Sequence, residues 1–345
     1  RDLAPAYAAA QSRYDWIATA AALLLALAGG AFAWIRIRPD FAARARVEQL
    51  VLAALLAASL LAILTTAGIV ASLAWESARF FAIVAPADFL LGTRWSPGTM
   101  DPADPGAVFG AVPLFWGTFL IGAVIAMAVA IPFGLGAAVW LSQYARASTR
   151  RRVKPALELL AGIPTVVYGY FAALSVAPAV RQLGLALGIA SASAESALAA
   201  GLVMGVMIVP FVSSIADDSL AAVPASLRDA SLALGATPSE TIRRVLVPAA
   251  LPGIVGGILL GVSRAIGETM IVVMAASGVA TLTADPFAPA TTVTRQIVDL
   301  LTGEAAFDSP KTLAAFALGL TLFIATLALN LAALAAVRRY RQPYD

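Results

Sequence analysis

Hydrophobic residues along this chain come in long blocks with few interruptions. Seven blocks reach the ~20 residues that a helix needs to cross a bilayer: Trp16–Ile35, Val47–Leu73, Leu114–Leu141, Ala156–Ala177, Ala197–Ile215, Ala249–Ala276 and Leu313–Val337. The pattern predicts an all-α polytopic membrane protein. The fourth block is interrupted by Gly162, Pro164 and Gly169. Proline removes a backbone hydrogen bond, and broken helices persist at membrane depth only against protein or a cavity, so a kinked or partly re-entrant element is expected there. Polar connections separate the blocks. Turn formers fill Ser96–Gly106 and Thr281–Thr292. Trp75, Phe80, Phe81, Phe89, Trp95, Phe115 and Trp116 flank the first of these loops, as an interfacial aromatic belt would.

The sixth block is the one with charge inside it. Pro252 to Met274 reads as a continuous helix carrying Arg264 and Glu268. Arg264 falls ~18 Å from the helix start at 1.5 Å per residue, and Glu268 one turn further along the same face. A charge at bilayer depth costs at least ~2.5 kcal/mol on insertion scales, which makes such residues functional candidates. The alternative is a structural ion pair, for which Arg-before-Glu is the weaker order. Gly253, Gly257 and Gly261 repeat every four residues, and this spacing lets a second helix backbone come close.

Composition narrows the chemistry. Of 345 residues, 61% are hydrophobic and 12% charged, with a mean hydropathy of +0.88. There is no cysteine and no histidine, which excludes disulfides, thiolate zinc sites, and Cys- or His-based catalysis. No cofactor or metal site is expected. The net charge of +3 does not point to nucleic acid, because the basic residues sit at the ends of apolar blocks. Fifteen of them fall on one set of connections: Arg36, Arg38, Arg44, Arg46, Arg146, Arg150–Arg152, Lys154, Arg228, Arg243, Arg244, Arg338, Arg339 and Arg341. Seven fall on the other: Arg1, Arg13, Arg79, Arg94, Arg181, Arg295 and Lys311. The positive-inside rule then puts the N-terminus outside and the C-terminus inside.

Ala216–Pro248 is the most informative polar stretch. Pro224 suits the first turn of a helix that runs to about Leu234 and stops at Gly235. Thr237-Pro238-Ser239-Glu240 has the form of a capping box and starts a second helix, expected to end at Val247-Pro248. Physics alone allows an ordinary amphipathic connector here.

This stretch resembles the signature of ABC importer permeases: Glu-Ala-Ala, three residues, Gly, nine residues, Ile-x-Leu-Pro. The chain has Asp229-Ala230-Ser231, Gly235 and Val245-Leu246-Val247-Pro248 at the same spacing. Ser263–Thr269 is similar to the Arg-Ala-x-Gly-Glu-Thr segment of phosphate importer permeases, and Gly162–Gly169 to their Gly-x-Pro-Ser/Thr-x-Val-x-Gly segment. Asp88–Pro97 resembles the outer loop of C-type permeases of the phosphate-specific transport (Pst) system. The resemblance spans roughly Val47 to Arg339.

The resemblance implies a type I importer (MetI-like) core of about seven transmembrane helices with an extra N-terminal one. Residues 1–46 would be the N-terminal extension, 47–113 the first core helix and outer loop, and 114–345 the permease core with its coupling loop at 216–248. It implies an ATP-driven phosphate importer subunit in a bacterial inner membrane. Its partners would be a second, A-type permease, an ATPase dimer, an extracytoplasmic phosphate-binding protein and membrane lipid. Asp229, Ala230, Ser231, Gly235, Thr237, Glu240 and Pro248 would meet the ATPase. The chain has no GxxxxGK[ST] loop of its own. Arg264 would donate to phosphate, Glu268 would accept from its protonated oxygen, and Thr165, Tyr168, Ser263 and Thr269 would line the path. Permeases for sulfate or molybdate, an intramembrane enzyme using Glu268, and a passive channel are the competing readings.

Overall fold

The computed structural model describes residues 3–36, 42–97, 108–302 and 308–340. The chain falls into two units, Arg1–Gly68 and Ile69–Asp345. The first holds α1 (Leu3–Arg36) and most of α2 (Ala43–Phe81), and within this unit the described apolar side chains are exposed. A helix that is hydrophobic all round and uncovered is one made for a hydrocarbon environment.

The second unit is a helix bundle. After α2 come α3 (Pro86–Leu91), a two-stranded antiparallel ribbon of β1 (Trp95–Ser96) and β2 (Val108–Phe109), and α4 (Val112–Tyr144). Then follow α5 (Ala147–Ala161), α6 (Thr165–Ala186), α7 (Ala197–Ala221), α8 (Ala225–Ala233) and α9 (Pro238–Ile266). The chain closes with α10 (Met270–Ala275), α11 (Val293–Leu301) and α12 (Pro310–Tyr340). Among the described residues six helices are long and apolar enough to cross a membrane, or seven if α5 and α6 count as one broken span.

Helix α7 is the centre, packed on α4 and α9, while α9 also packs on α12. Small residues permit this. A Cβ at Gly205 would lie 2.7 Å from Val129 Cβ, one at Gly134 would lie 2.8 Å from Val212 Cβ, and one at Gly257 would lie 2.5 Å from Ile215 Cγ2. Gly253 is as tight against Ser219, whereas Gly261 leaves ordinary van der Waals room. In lipid, helix association depends on such packing, because apolar burial alone gives no advantage over acyl chains.

Three sequence expectations about the spans and helix ends change. The fourth span is not Ala156–Ala177. Helices α5 and α6 meet at 84° across 162–164, so the charged residues before the break form a separate arm and the span begins at Thr165. The sixth span is not Ala249–Ala276, because α9 ends at Ile266. The second helix of the polar stretch does not end at Val247-Pro248; it runs unbroken into the membrane. A π-helical turn at Ile242–Leu246 accommodates Pro248, whose ring conflicts with the carbonyl four residues back. Pro178 has the same device before it, at Ala172–Val176.

The aromatic belt is only partly a belt. Phe80 and Phe89 are fully buried and stack edge to face at 5.3 Å, with Phe109 completing a packed cluster. Trp75 stays exposed. The turn-rich Ser96–Gly106 loop lies outside the described residues beyond Pro97, as do Arg1, Arg38 and Arg341.

Candidate functional site

Two places collect the residues that the sequence singles out: the break after α9, and the turn between α8 and α9.

The apolar run of α9 stops because Gly267 and the next two residues leave the helix before α10 begins. Arg264 is in the last turn of α9 and exposed. It makes no hydrogen bond or ion pair among the described residues. Glu268 is in the break and half-buried. The expected continuous helix with both charges on one face is therefore absent, and no Arg264–Glu268 ion pair forms.

Glu268 instead caps α10. Its Oε1 accepts from the Met270 N–H at 3.1 Å and the Ile271 N–H at 3.5 Å, while Thr294 Oγ1 donates to its carbonyl at 2.7 Å. At the other end, the Arg295 guanidinium donates to the carbonyls of Val272, Val273 and Ala276, and to Asp299. An acid at the N-terminus and a cation at the C-terminus both complement the helix dipole. Arg295 was not a sequence candidate. It read as one more basic residue in an outer loop, although its place three residues after the N-capping Thr292 marks the start of a helix.

Helix α10 also carries the contact to α6. A Cβ at Gly169 would lie 2.9 Å from the Met270 carbonyl, so the break is brought against the first turns of α6, where Thr165 and Tyr168 sit. Tyr168 donates its hydroxyl to the Leu160 carbonyl at 2.8 Å and so ties α6 back to the end of α5. Thr269 donates to the Gly267 carbonyl at a long 3.4 Å. Thr165 and Ser263 are half-buried residues whose hydroxyls make no hydrogen bond among the described residues. The α9 end is held from the other side, where Gly122 of α4 approaches Ala265.

The second place is a protruding helical hairpin, 225–241. Gly235 closes α8 with φ +89°, and the Ala236 N–H reaches back to the Ser231 carbonyl at 3.2 Å. A left-handed residue here is what ends the helix. Thr237 and Glu240 form a reciprocal capping box, with Thr237 N–H to Glu240 Oε2 at 3.0 Å and Glu240 N–H to Thr237 Oγ1 at 3.3 Å. Ser231 Oγ and Thr241 Oγ1 lie 2.9 Å apart and pin the two arms together. The root is packed: Ile242, Leu246, Ala250 and Ile254 join Ala138 of α4 and Ala216 and Leu220 of α7 in one cluster. The tip is bare. Leu234 is 89% exposed, Ala230 is exposed, and the exposed Asp229 carboxylate makes no hydrogen bond or ion pair among the described residues. Pro248 is an exposed residue in the first turn of the membrane-directed part of α9.

One buried charge was also missed. Asp217, near the end of α7, is 3% exposed and takes Arg150 at 2.8 Å and Lys154 at 2.6 Å from α5. A buried carboxylate requires such partners, and here they lock the α5 arm to α7 beside the root of the hairpin. The basic run of α5 read only as a topology signal.

Comparison with known proteins gives a consistent picture. The family described as binding-protein-dependent transport system inner membrane component matches residues 130–342. The probable ABC transporter permease protein YqgH of Bacillus subtilis is 35% identical over 241 residues, 70% of this chain and 74% of that protein. The phosphate transport system permease protein PstC of Mesorhizobium japonicum is 33% identical over 287 residues, 78% of this chain and 84% of that protein. Among solved structures, a chain of the MetNI methionine ABC transporter in an inward-facing conformation is 21% identical, with a TM-score of 0.48 over 67% of this chain and 94% of that one.

Proposed function

The chain belongs to the family of binding-protein-dependent transport system inner membrane components, and from that premise we propose that it is a permease subunit of an ATP-driven inorganic phosphate importer. It forms half of a translocation path that opens alternately to each side. Phosphate comes from the names of its relatives and agrees with the chemistry of the break. Bare phosphate does not cross hydrocarbon, and a transporter must replace its water with fixed donors. A guanidinium offers a planar fork matched to phosphate oxygens, and that of Arg264 is exposed and makes no hydrogen bond or ion pair among the described residues. A second, A-type permease laid against this surface would close the path around Arg264, Ser263, Thr165, Tyr168 and Thr269. Glu268 positions α10 and keeps a negative charge at the wall, which penalises a fully ionised anion such as sulfate more than protonated phosphate.

The observation that carries the ATP-driven reading is the bare tip of hairpin 225–241 on a packed root. It fits insertion into a separate ATPase subunit, two copies of which supply the hydrolysis. A phosphate-binding protein delivers solute on the opposite side, and the basic-residue bias sets that side as the one bearing the N-terminus. The test is solute uptake by the complete complex in proteoliposomes. Phosphate is expected to accumulate only with ATP and binding protein, and sulfate or molybdate is expected not to. Accumulation of sulfate in place of phosphate would overturn the substrate assignment.

A further inference from the structure

Helix α5 carries a surface that the transport reading leaves unused. Two of its cations, Arg150 and Lys154, are committed to Asp217. The others are not. Arg146, just before the helix, and Arg151 and Arg152 within it are exposed, and their side chains make no hydrogen bond or ion pair among the described residues. The last turn is uncovered, with Leu159 74% and Leu160 39% exposed beside an exposed Glu158. Arg152 and Leu159 are seven residues apart and therefore share a face, ~10 Å from each other along the axis.

The helix itself gives no reason for these arginines. Its first turn has no acidic residue, and cations at a helix N-terminus oppose the dipole. Topology asks only for basic residues near the ends of spans. It does not ask for a helix turned 84° from the span it precedes, with free arginines at one end and free leucines at the other. If α6 follows the membrane normal, which its ~33 Å length allows, α5 lies close to the membrane plane. Arginines then sit at headgroup depth with leucines toward the acyl chains, as in interfacial helices. Trp140 and Tyr144, both exposed at the adjoining end of α4, are the aromatic residues that favour this depth.

We propose that α5 binds the headgroup phosphate of an acidic phospholipid through Arg146, Arg151 and Arg152, with Leu159 and Leu160 against its chains. Complementary charge selects the acidic lipid over a zwitterionic one, and forked guanidinium donors suit its phosphate. The exposed Leu159 and Leu160 select a lipid over a free anion, and Glu158 beside them disfavours a small free anion further. The proposal stands on the membrane placement of α6 and is independent of which solute is transported.

The experiment is native mass spectrometry of the assembled complex titrated with phosphatidylglycerol or phosphatidylcholine. Wild type is expected to retain phosphatidylglycerol preferentially. The Arg151→Gln/Arg152→Gln double variant should bind it about thirtyfold more weakly, from ~1 kcal/mol per arginine, and the charge-matched Arg13→Gln/Arg181→Gln variant should bind as wild type does. Excess inorganic phosphate at constant ionic strength should leave the lipid in place. Displacement by inorganic phosphate would make this a free-anion site, and so overturn the proposal. Equal binding of phosphatidylcholine, unchanged binding by the double variant, or a photo-crosslink from position 152 to the ATPase subunit in place of lipid would overturn it too.

Discussion

Glu268 accepts the N–H groups of Met270 and Ile271, so its carboxylate is engaged by α10 before any solute arrives. Replacing a capping acceptor by alanine costs ~0.5–2 kcal/mol, and here the helix it caps is only six residues long. Glu268→Ala is therefore expected to lower the yield of assembled complex, measured by size exclusion. Glu268→Gln keeps an acceptor oxygen, and should assemble as wild type while its uptake shifts toward sulfate. Equal yields from the two variants would contradict the capping role. The sequence marks Glu268 as unusual but hides what it does. Hydropathy cannot tell one long helix from two in series, because three residues between α9 and α10 barely interrupt an apolar run. Gly267 was the available signal, a residue that commonly follows a helix end. Arg295 was hidden for a different reason: the carbonyls it satisfies lie about twenty residues earlier in the chain, and local pattern holds no trace of such a pairing.

The hairpin 225–241 was legible as an element because its determinants are local. A left-handed glycine and a capping box are both written within a few residues, and both occur at Gly235 and at Thr237–Glu240. What followed was not legible. Pro248 reads as a helix stop, yet a π turn lets the helix pass through it. The bend between α5 and α6 was visible as a glycine and proline interruption, but its 84° angle is set by tertiary contacts such as Tyr168 to Leu160 and Asp217 to Arg150. The hairpin yields a prediction at this scale. No atom lies within 4 Å of a Cβ at Gly235, so any substitution penalty there is conformational, ~1–2 kcal/mol for an ordinary residue held in this region. Asparagine tolerates the region and valine does not. Gly235→Asn should keep ATPase activity and phosphate uptake coupled. Gly235→Val should assemble yet hydrolyse ATP with little uptake. Wild-type coupling in the valine variant would contradict the role of this turn.

Over the whole molecule, the apolar blocks were readable because membrane helices must be long and apolar, and of the three spaced glycines of α9 only Gly253 and Gly257 sit at a close approach. The buried Phe80–Phe89–Phe109 cluster was not, since the same residues at the same positions would serve equally as interfacial anchors. Orientation rests on the basic-residue bias. Single cysteines placed in this cysteine-free chain at positions 13 and 94 should react with an impermeant thiol reagent from outside intact cells, and one at position 228 only after permeabilisation. Labelling of position 228 from outside would reverse the arrangement. The account as a whole turns on Arg264, an exposed guanidinium beside a helix break, with no partner among the described residues. Since no ion pair depends on it, Arg264→Leu should leave the complex assembled in wild-type amount. The measurement is ATP-driven uptake of radiolabelled phosphate into proteoliposomes, normalised to assembled complex. Uptake by Arg264→Leu is predicted to fall at least a hundredfold, from the loss of a charge-assisted pair worth roughly 3 kcal/mol, whereas wild-type uptake by that variant would contradict the placement of Arg264 in the phosphate path.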